Sequence, residues 1–142
     1  MSSTPVRISN PSSIHKPLGY SHVAQVTAGK LIYIAGQVAQ DVSGALVGKD
    51  DFRAQLQQIF SNLNAALESA GASFTDVVKL NYFCCERVPA SDLPIVREIR
   101  DRFVNTSSPP ISTFVFVSRL VRAEWLIEIE AVAAVSENTS SR

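Results

Sequence analysis

The sequence predicts an α+β sandwich of order β-β-α-β-α-β-β, in which two helices cover one face of a mixed sheet. Two observations carry this expectation. Apolar residues recur at intervals of three and four from Phe52 to Ala70, and again from Leu93 to Phe103, the spacing of helices that bury one side. Around them lie short runs rich in Val, Ile and aromatic residues, bounded by Gly, Pro, Asp and Ser.

Taken in order, residues 1–18 are rich in Ser and Pro and read as an extended arm. Ser21–Thr27 and Lys30–Ala35 are two β-rich runs, and Ala28-Gly29 between them reads as the turn of a hairpin. Asp41-Val42-Ser43-Gly44 is turn chemistry. Asp50 and Asp51 precede the first helix, where a carboxylate caps free amides, and Gly71 suits its exit. Val77–Cys85 is the third strand, with Val78, Leu80, Tyr82 and Cys84 on one face and Phe83 on the other. Asp92 opens the second helix, whose first turn tolerates Pro94, and Pro109-Pro110 bars further helix. Ser112–Val117 and Trp125–Val135 are the final strands. Residues 19–135 thus read as one domain, with 136–142 a flexible tail. The strands carry apolar residues on the face that the helices leave open, which points to burial against other copies of the chain.

Composition narrows the function classes. Hydrophobic residues make up 46% of 142, enough for a folded core rather than disorder. Thirteen basic and thirteen acidic residues cancel, so no overall field favours nucleic acid or an anionic membrane as partner. Cys84 and Cys85 are adjacent on a strand and point to opposite faces, so they are not expected to pair with each other. Two histidines and two cysteines lack the spacing of a metal site, and no metal or organic cofactor is expected. The N-terminal segment has no unbroken apolar stretch like that of a signal peptide, and no run is long enough to span a bilayer, so a cytoplasmic protein is expected.

Several segments, in order, resemble the RidA/YjgF family of small enamine and imine deaminases. They are Gly19-Tyr20-Ser21, Leu31-Ile32-Tyr33-Ile34-Ala35-Gly36-Gln37, Ser43-Gly44, Asn62-Leu63, Ala70-Gly71-Ala72, Asp76-Val77-Val78-Lys79, Pro109-Pro110, Ser112-Thr113, Arg119-Leu120 and Ile127-Glu128-Ile129-Glu130-Ala131. The resemblance implies a chorismate-mutase-like homotrimer, its sheets forming a central barrel with active sites in clefts between subunits. It also implies hydrolysis of a reactive imine, typically the 2-imino acid from 2-aminoacrylate, to a 2-keto acid and ammonia. In that family an arginine clamps the substrate carboxylate and a glutamate on the last strand orients water.

Carried over residue by residue, the resemblance makes Glu128 the water-orienting glutamate. Its bland alternative is a solvated charge, like Glu130, on an exposed strand face. Tyr20 would line the cleft, or simply pack the arm. Gly36 would present backbone to the substrate, or only permit a bulge; Thr113 would offer a hydroxyl, or only be a strand residue. Arg97 stands where many relatives have a smaller polar residue facing the cleft and would bring a positive charge from a different wall, unless it is a solvated helix arginine. His22 has an imidazole's titration range but also reads as a surface histidine. Arg119 reads as tying down the loop before the last strand. Ile111 is the departure, since it occupies the position of the family's arginine and has neither charge nor donor to clamp a carboxylate. The expected function is therefore Rid-like chemistry on a different imine or enamine. The alternative is a non-catalytic trimer that binds a small molecule or protein in the same cleft.

Overall fold

The computed structural model describes residues 5–137. Its elements are β1 (Val6–Ser9), β2 (Val23–Val26), β3 (Lys30–Gln37), α1 (Phe52–Ser69), β4 (Val77–Cys85), α2 (Leu93–Arg100), β5 (Ile111–Val117) and β6 (Ile127–Val135). One sheet has the order β3-β6-β4-β5, and β1 and β2 form a separate ribbon. β6 is antiparallel to both of its neighbours, whereas β4 and β5 are parallel. A parallel pair needs a crossover of a dozen or more residues, and α2 lies within it. The mixed sheet and its two helices are the α+β arrangement that the periodicity implied.

α1 starts where Asp51 Oδ1 accepts the Ala54 amide at 3.0 Å, and ends as the chain turns through Gly71 at φ 79°. Leu56, Ile59, Phe60, Leu63 and Leu67 are wholly buried against Leu80, Ile127 and Ile129 of the sheet. One polar side chain shares that buried stripe. Gln55 Nε2 donates to the Gly48 and Glu124 carbonyls at 2.9 and 3.0 Å, and its Oε1 accepts the Leu126 amide at 2.9 Å. It fastens the loops before α1 and before β6 to the helix, pairing the Glu124 carbonyl and the Leu126 amide, which burial would otherwise leave unpaired, and adding a second donor to the Gly48 carbonyl, which also accepts the Asp51 amide. Arg53 and Glu98 join α1 to α2 through two hydrogen bonds, the shorter 2.6 Å.

The structure revises three local expectations. β2 and β3 do not form a hairpin; β2 pairs with β1, in register from Val6 with Val26 to Ser9 with Val23. At Gly29, with φ 97°, the chain turns onto β6, and the Val135 carbonyl lies where a Cβ would stand. The arm therefore contains a strand. In β4 a register shift between Val77 and Lys79 places Val77 rather than Val78 in the core cluster, ahead of Leu80, Tyr82 and Cys84. α2 stops at Arg100, so Phe103 packs on the core from beyond the helix. The two cysteines are free and buried, as their alternation implies, and burial pushes the Cys84 thiol up to about 12. Of the arm and tail expected at the ends, residues 1–4 and 138–142 lie outside the described residues.

Candidate active site

Alternation fixes what the uncovered sheet face presents. Because Ile127, Ile129 and Ala131 of β6 point into the core, Glu128, Glu130 and Val132 point away from it. The same argument places Lys79, Asn81 and Phe83 of β4 on the open face, together with Ile111, Thr113 and Val115 of β5. Register then aligns them in rows across the strands: Tyr33, Val132, Lys79 and Ile111; Glu130, Asn81 and Thr113; Glu128, Phe83 and Val115.

Glu128 closes one end of this face. The β3 register shifts between Ile34 and Gln37, and the Glu128 side chain lies over Gly36 within that irregular stretch. A Cβ on Gly36 would meet Glu128 Cδ at 2.8 Å and Cγ at 2.9 Å. Gly36 thus sits at the bulge, and its lack of a side chain leaves room for the carboxylate. Partial burial, and secondarily the charge of Glu130, hold the Glu128 carboxyl above the ordinary carboxylate range. Asn81 Nδ2 donates to Glu130 at 3.0 Å, while Asn81 Oδ1 is buried without a partner. A hollow of about 120 Å³ opens there, lined among others by Tyr33, Lys79, Asn81 and Glu130. Across Gly36 lies a broader cleft of about 570 Å³, lined by Gln37, Asp41, Gln58 and Asn62.

The other candidates collect at the β5 edge. Ser21 bridges to Ile111, its amide donating to the Pro110 carbonyl at 3.2 Å and its hydroxyl to the Pro109 carbonyl at 2.6 Å. The arm is thereby fixed beside Ile111 and Thr113. Tyr20 shares its hydroxyl with His15 Nε2 at 2.9 Å and meets the His22 ring edge-on at 5.4 Å, so it takes part in arm packing. His22 Nε2 bonds the His15 carbonyl at 2.7 Å. Gly19 comes against Arg97 and Arg100 of α2, which places the Arg97 head group beside the segment that fixes Ile111. Arg119 donates to the Leu120 and Val121 carbonyls, the loop-tying role expected of it.

One chain thus divides its candidates into two groups. Glu128 and Gly36 stand at the β6/β3 side; Tyr20, Ile111, Thr113 and Arg97 stand at the β5 side. β6 and β5 are two strands apart, roughly 10 Å at the usual spacing of about 4.8 Å. Sequence reading passed over Lys79, which the register sets directly opposite Ile111, and Arg100 behind Gly19. The alternation of β4 could have exposed Lys79; nothing local announced Arg100. Among the described residues no group of three or more His, Cys, Asp or Glu could hold a metal ion, and no helix is long and apolar enough to cross a membrane.

A mixed four-stranded sheet backed by two helices, with a carboxylate on its last strand and candidate residues at two sheet edges, defines a class of small α+β domain. Within that class the chain belongs to the Rid/YjgF family, residues 11–135 matching the family described as Endoribonuclease L-PSP. It is 35% identical over 119 residues to a RutC family protein of Pyrococcus abyssi, covering 83% of this chain and 88% of that one. It is 31% identical over 133 residues to a 2-iminobutanoate/2-iminopropanoate deaminase of Dermatophagoides farinae, covering 93% and 98%. The solved structure of the Rid family protein YyfB from Yersinia pestis matches with a TM-score of 0.85 at 35% identity, over 92% of this chain and 99% of that one. RidA from an Antarctic Psychrobacter matches with a TM-score of 0.66 at 29% identity, over 89% and 94%.

Proposed function

We propose that the chain is a Rid-type hydrolase of a small reactive imine or enamine, acting in a cleft that a neighbouring copy completes. The observation that carries this reading is the Glu128 carboxylate over Gly36, on the strand and at the position that the resemblance assigns to water activation. Relatives named as 2-iminobutanoate/2-iminopropanoate deaminases support the reaction class. A homotrimer accounts for two features of the single chain. Leu31, Tyr33 and Val115 are 45%, 73% and 39% exposed on the open side of the sheet, an apolar surface suited to other copies. Joining the β3 edge of one copy to the β5 edge of the next would also bring Glu128 and Gly36 to Ile111, Thr113 and Tyr20.

The chemistry asked of these residues is modest. Glu128 takes a proton from water as the new C–O bond forms to the imine carbon, and the imine nitrogen gains a proton. The tetrahedral adduct then breaks its C–N bond, leaving a carbonyl compound and ammonia; water supplies the oxygen and no electrons are exchanged. Ile111 decides the substrate. Removing one partner of a desolvated charge pair costs about 2–5 kcal/mol, so the 2-imino acid made from 2-aminoacrylate is a poor substrate here. The same isoleucine favours the second reading, a trimer that binds a small molecule or a partner protein without catalysis. Ribonuclease activity has the least support, because a net charge of zero gives no general attraction to a polyanion.

A panel of imines generated in situ by amine oxidases as well as amino-acid oxidases, so that it includes imines without an α-carboxylate, tests the reading against a Glu128→Gln control, with carbonyl and ammonia release followed. Turnover of at least one imine that the control loses is the expected result. No turnover across the panel, or turnover indifferent to Glu128, would move the assignment to the binding protein.

A further inference from the structure

Arg97 and Arg100 lie one helical turn apart on α2, and both reach the backbone of Gly19. Gly19 has φ 79°, a conformation that side chains resist, and it has no Cβ where one would come within 3.0 Å of Arg97 Cζ and 3.1 Å of Arg100 Nη2. The arm is thus shaped to admit two guanidinium groups. Among the described residues, the acidic group that both of them meet is Asp101. Arg100 holds it with Nε and Nη2 at 2.9 and 2.7 Å, whereas Arg97 stands 4.0 Å away at the limit of an ion pair. Two positive charges share one negative charge, and the excess falls on Arg97, whose side chain is 58% exposed against 12% for Arg100. Next to Arg100, the Tyr82 hydroxyl is buried with the Arg100 guanidinium as its polar neighbour. The corner therefore combines an unneutralised guanidinium with a fixed one behind it.

Its position gives this corner a purpose. Ser21, two residues after Gly19, is bridged to Ile111. Gly19 and Ser21 are at most about 7 Å apart along an extended chain, and Ser21 bridges to Ile111, so the Arg97 head lies near the end of β5 that carries Ile111. We infer that Arg97, backed by Arg100, binds the anionic end of the substrate, and that the substrate is an imine whose carboxylate is separated from the C=N carbon by a short apolar spacer lying along Ile111. This rests on the proposed imine chemistry and refines it. A planar guanidinium suits a carboxylate through paired N–H donors, and Ile111 suits methylene groups. An α-carboxylate held against the imine carbon would face Ile111 and miss the charge.

The full-length protein tests this in two ways that do not depend on each other. The first is calorimetric titration with glutarate and with uncharged glutaramide. Binding of glutarate that weakens with salt, that glutaramide does not reproduce and that falls tenfold or more in Arg97→Gln is expected; equal binding to wild type and Arg97→Gln overturns the anion site. The second is a comparison of imines made in situ by an amine oxidase from 4-aminobutanoate and from 4-aminobutanamide, which carry no α-carboxylate and differ in one distal charge. Wild type should prefer the carboxylate-bearing imine by tenfold or more, and Arg97→Gln should lose the preference while Arg97→Lys keeps part of it. Glu128-dependent turnover with no charge preference rejects the inference and leaves the hydrolase reading standing. Arg97-dependent glutarate binding without turnover of any imine rejects the hydrolase reading and keeps the anion site. An Arg97 engaged by a neighbouring copy would show neither effect but would lower the trimer's stability when replaced, and that also rejects the inference.

Discussion

The Glu128 carboxylate occupies the space that a side chain at Gly36 would need, with Cγ and Cδ at 2.9 and 2.8 Å from the position of a Cβ there. The backbone at Gly36 is not in the left-handed region, so the demand at this position is for room rather than for a special conformation. Gly36→Ala should therefore cost little stability, because the flexible end of Glu128 moves aside. It should also displace the carboxylate and lower imine turnover by about tenfold to a hundredfold, the usual effect of a misplacement near 1 Å. Turnover of the purified variant beside its thermal midpoint separates the two effects.

The raised Glu128 carboxyl gives a pH dependence with a definite sign. If the ionised group activates water, turnover climbs with pH through a value above the ordinary carboxylate range, since burial and the Glu130 charge both favour the protonated form. Glu130→Gln removes the like charge, so the acid limb of the rate profile should move to lower pH. The folded chain also holds this proton more tightly than the unfolded chain does. Its contribution to stability is therefore present below the unfolded value and is lost as pH rises through the raised one, and Glu128→Gln should abolish that slope. A pH–rate profile and urea unfolding at several pH values check both signs.

Gln55 should matter more than any other polar residue on α1. Replacing it by Ala strands the Glu124 carbonyl and the Leu126 amide, while the Gly48 carbonyl keeps the Asp51 amide, and each group left buried and unpaired costs about 1–3 kcal/mol. With some relief from water, a total loss of about 2–4 kcal/mol is expected, read as a fall in the urea midpoint.

How much of this was legible follows from the range of each interaction. α1 and β6 could be read because their periodicity runs over many residues, and Asp51 and Gly71 mark the helix ends with local chemistry. β1 escaped notice because four residues, Val6 to Ser9, alternate too briefly within a Ser- and Pro-rich arm. Gly29 misled because the freedom that makes a hairpin turn equally allows the chain to leave β2 and join β6. Gln55 carried a faint signal, a polar residue on the stripe of Phe52, Leu56 and Ile59. The order of motifs pointed to Glu128, Gly36 and Ile111 as candidates. Contact of Arg97 and Arg100 with Gly19 is tertiary, made between segments far apart in sequence, and no periodicity encodes it.

Ile111→Arg tests the central claim, that this chain keeps a Rid-type site whose anchor has changed. The side chain at this position points to the open sheet face beside the arm, where a guanidinium would restore a paired donor for an α-carboxylate. Hydrolysis of 2-iminopropanoate by the variant should exceed that of wild type by tenfold or more, each tenfold corresponding to about 1.4 kcal/mol of recovered transition-state stabilisation. A variant that keeps the wild-type assembly and thermal midpoint, yet gains nothing on 2-iminopropanoate, would contradict the account.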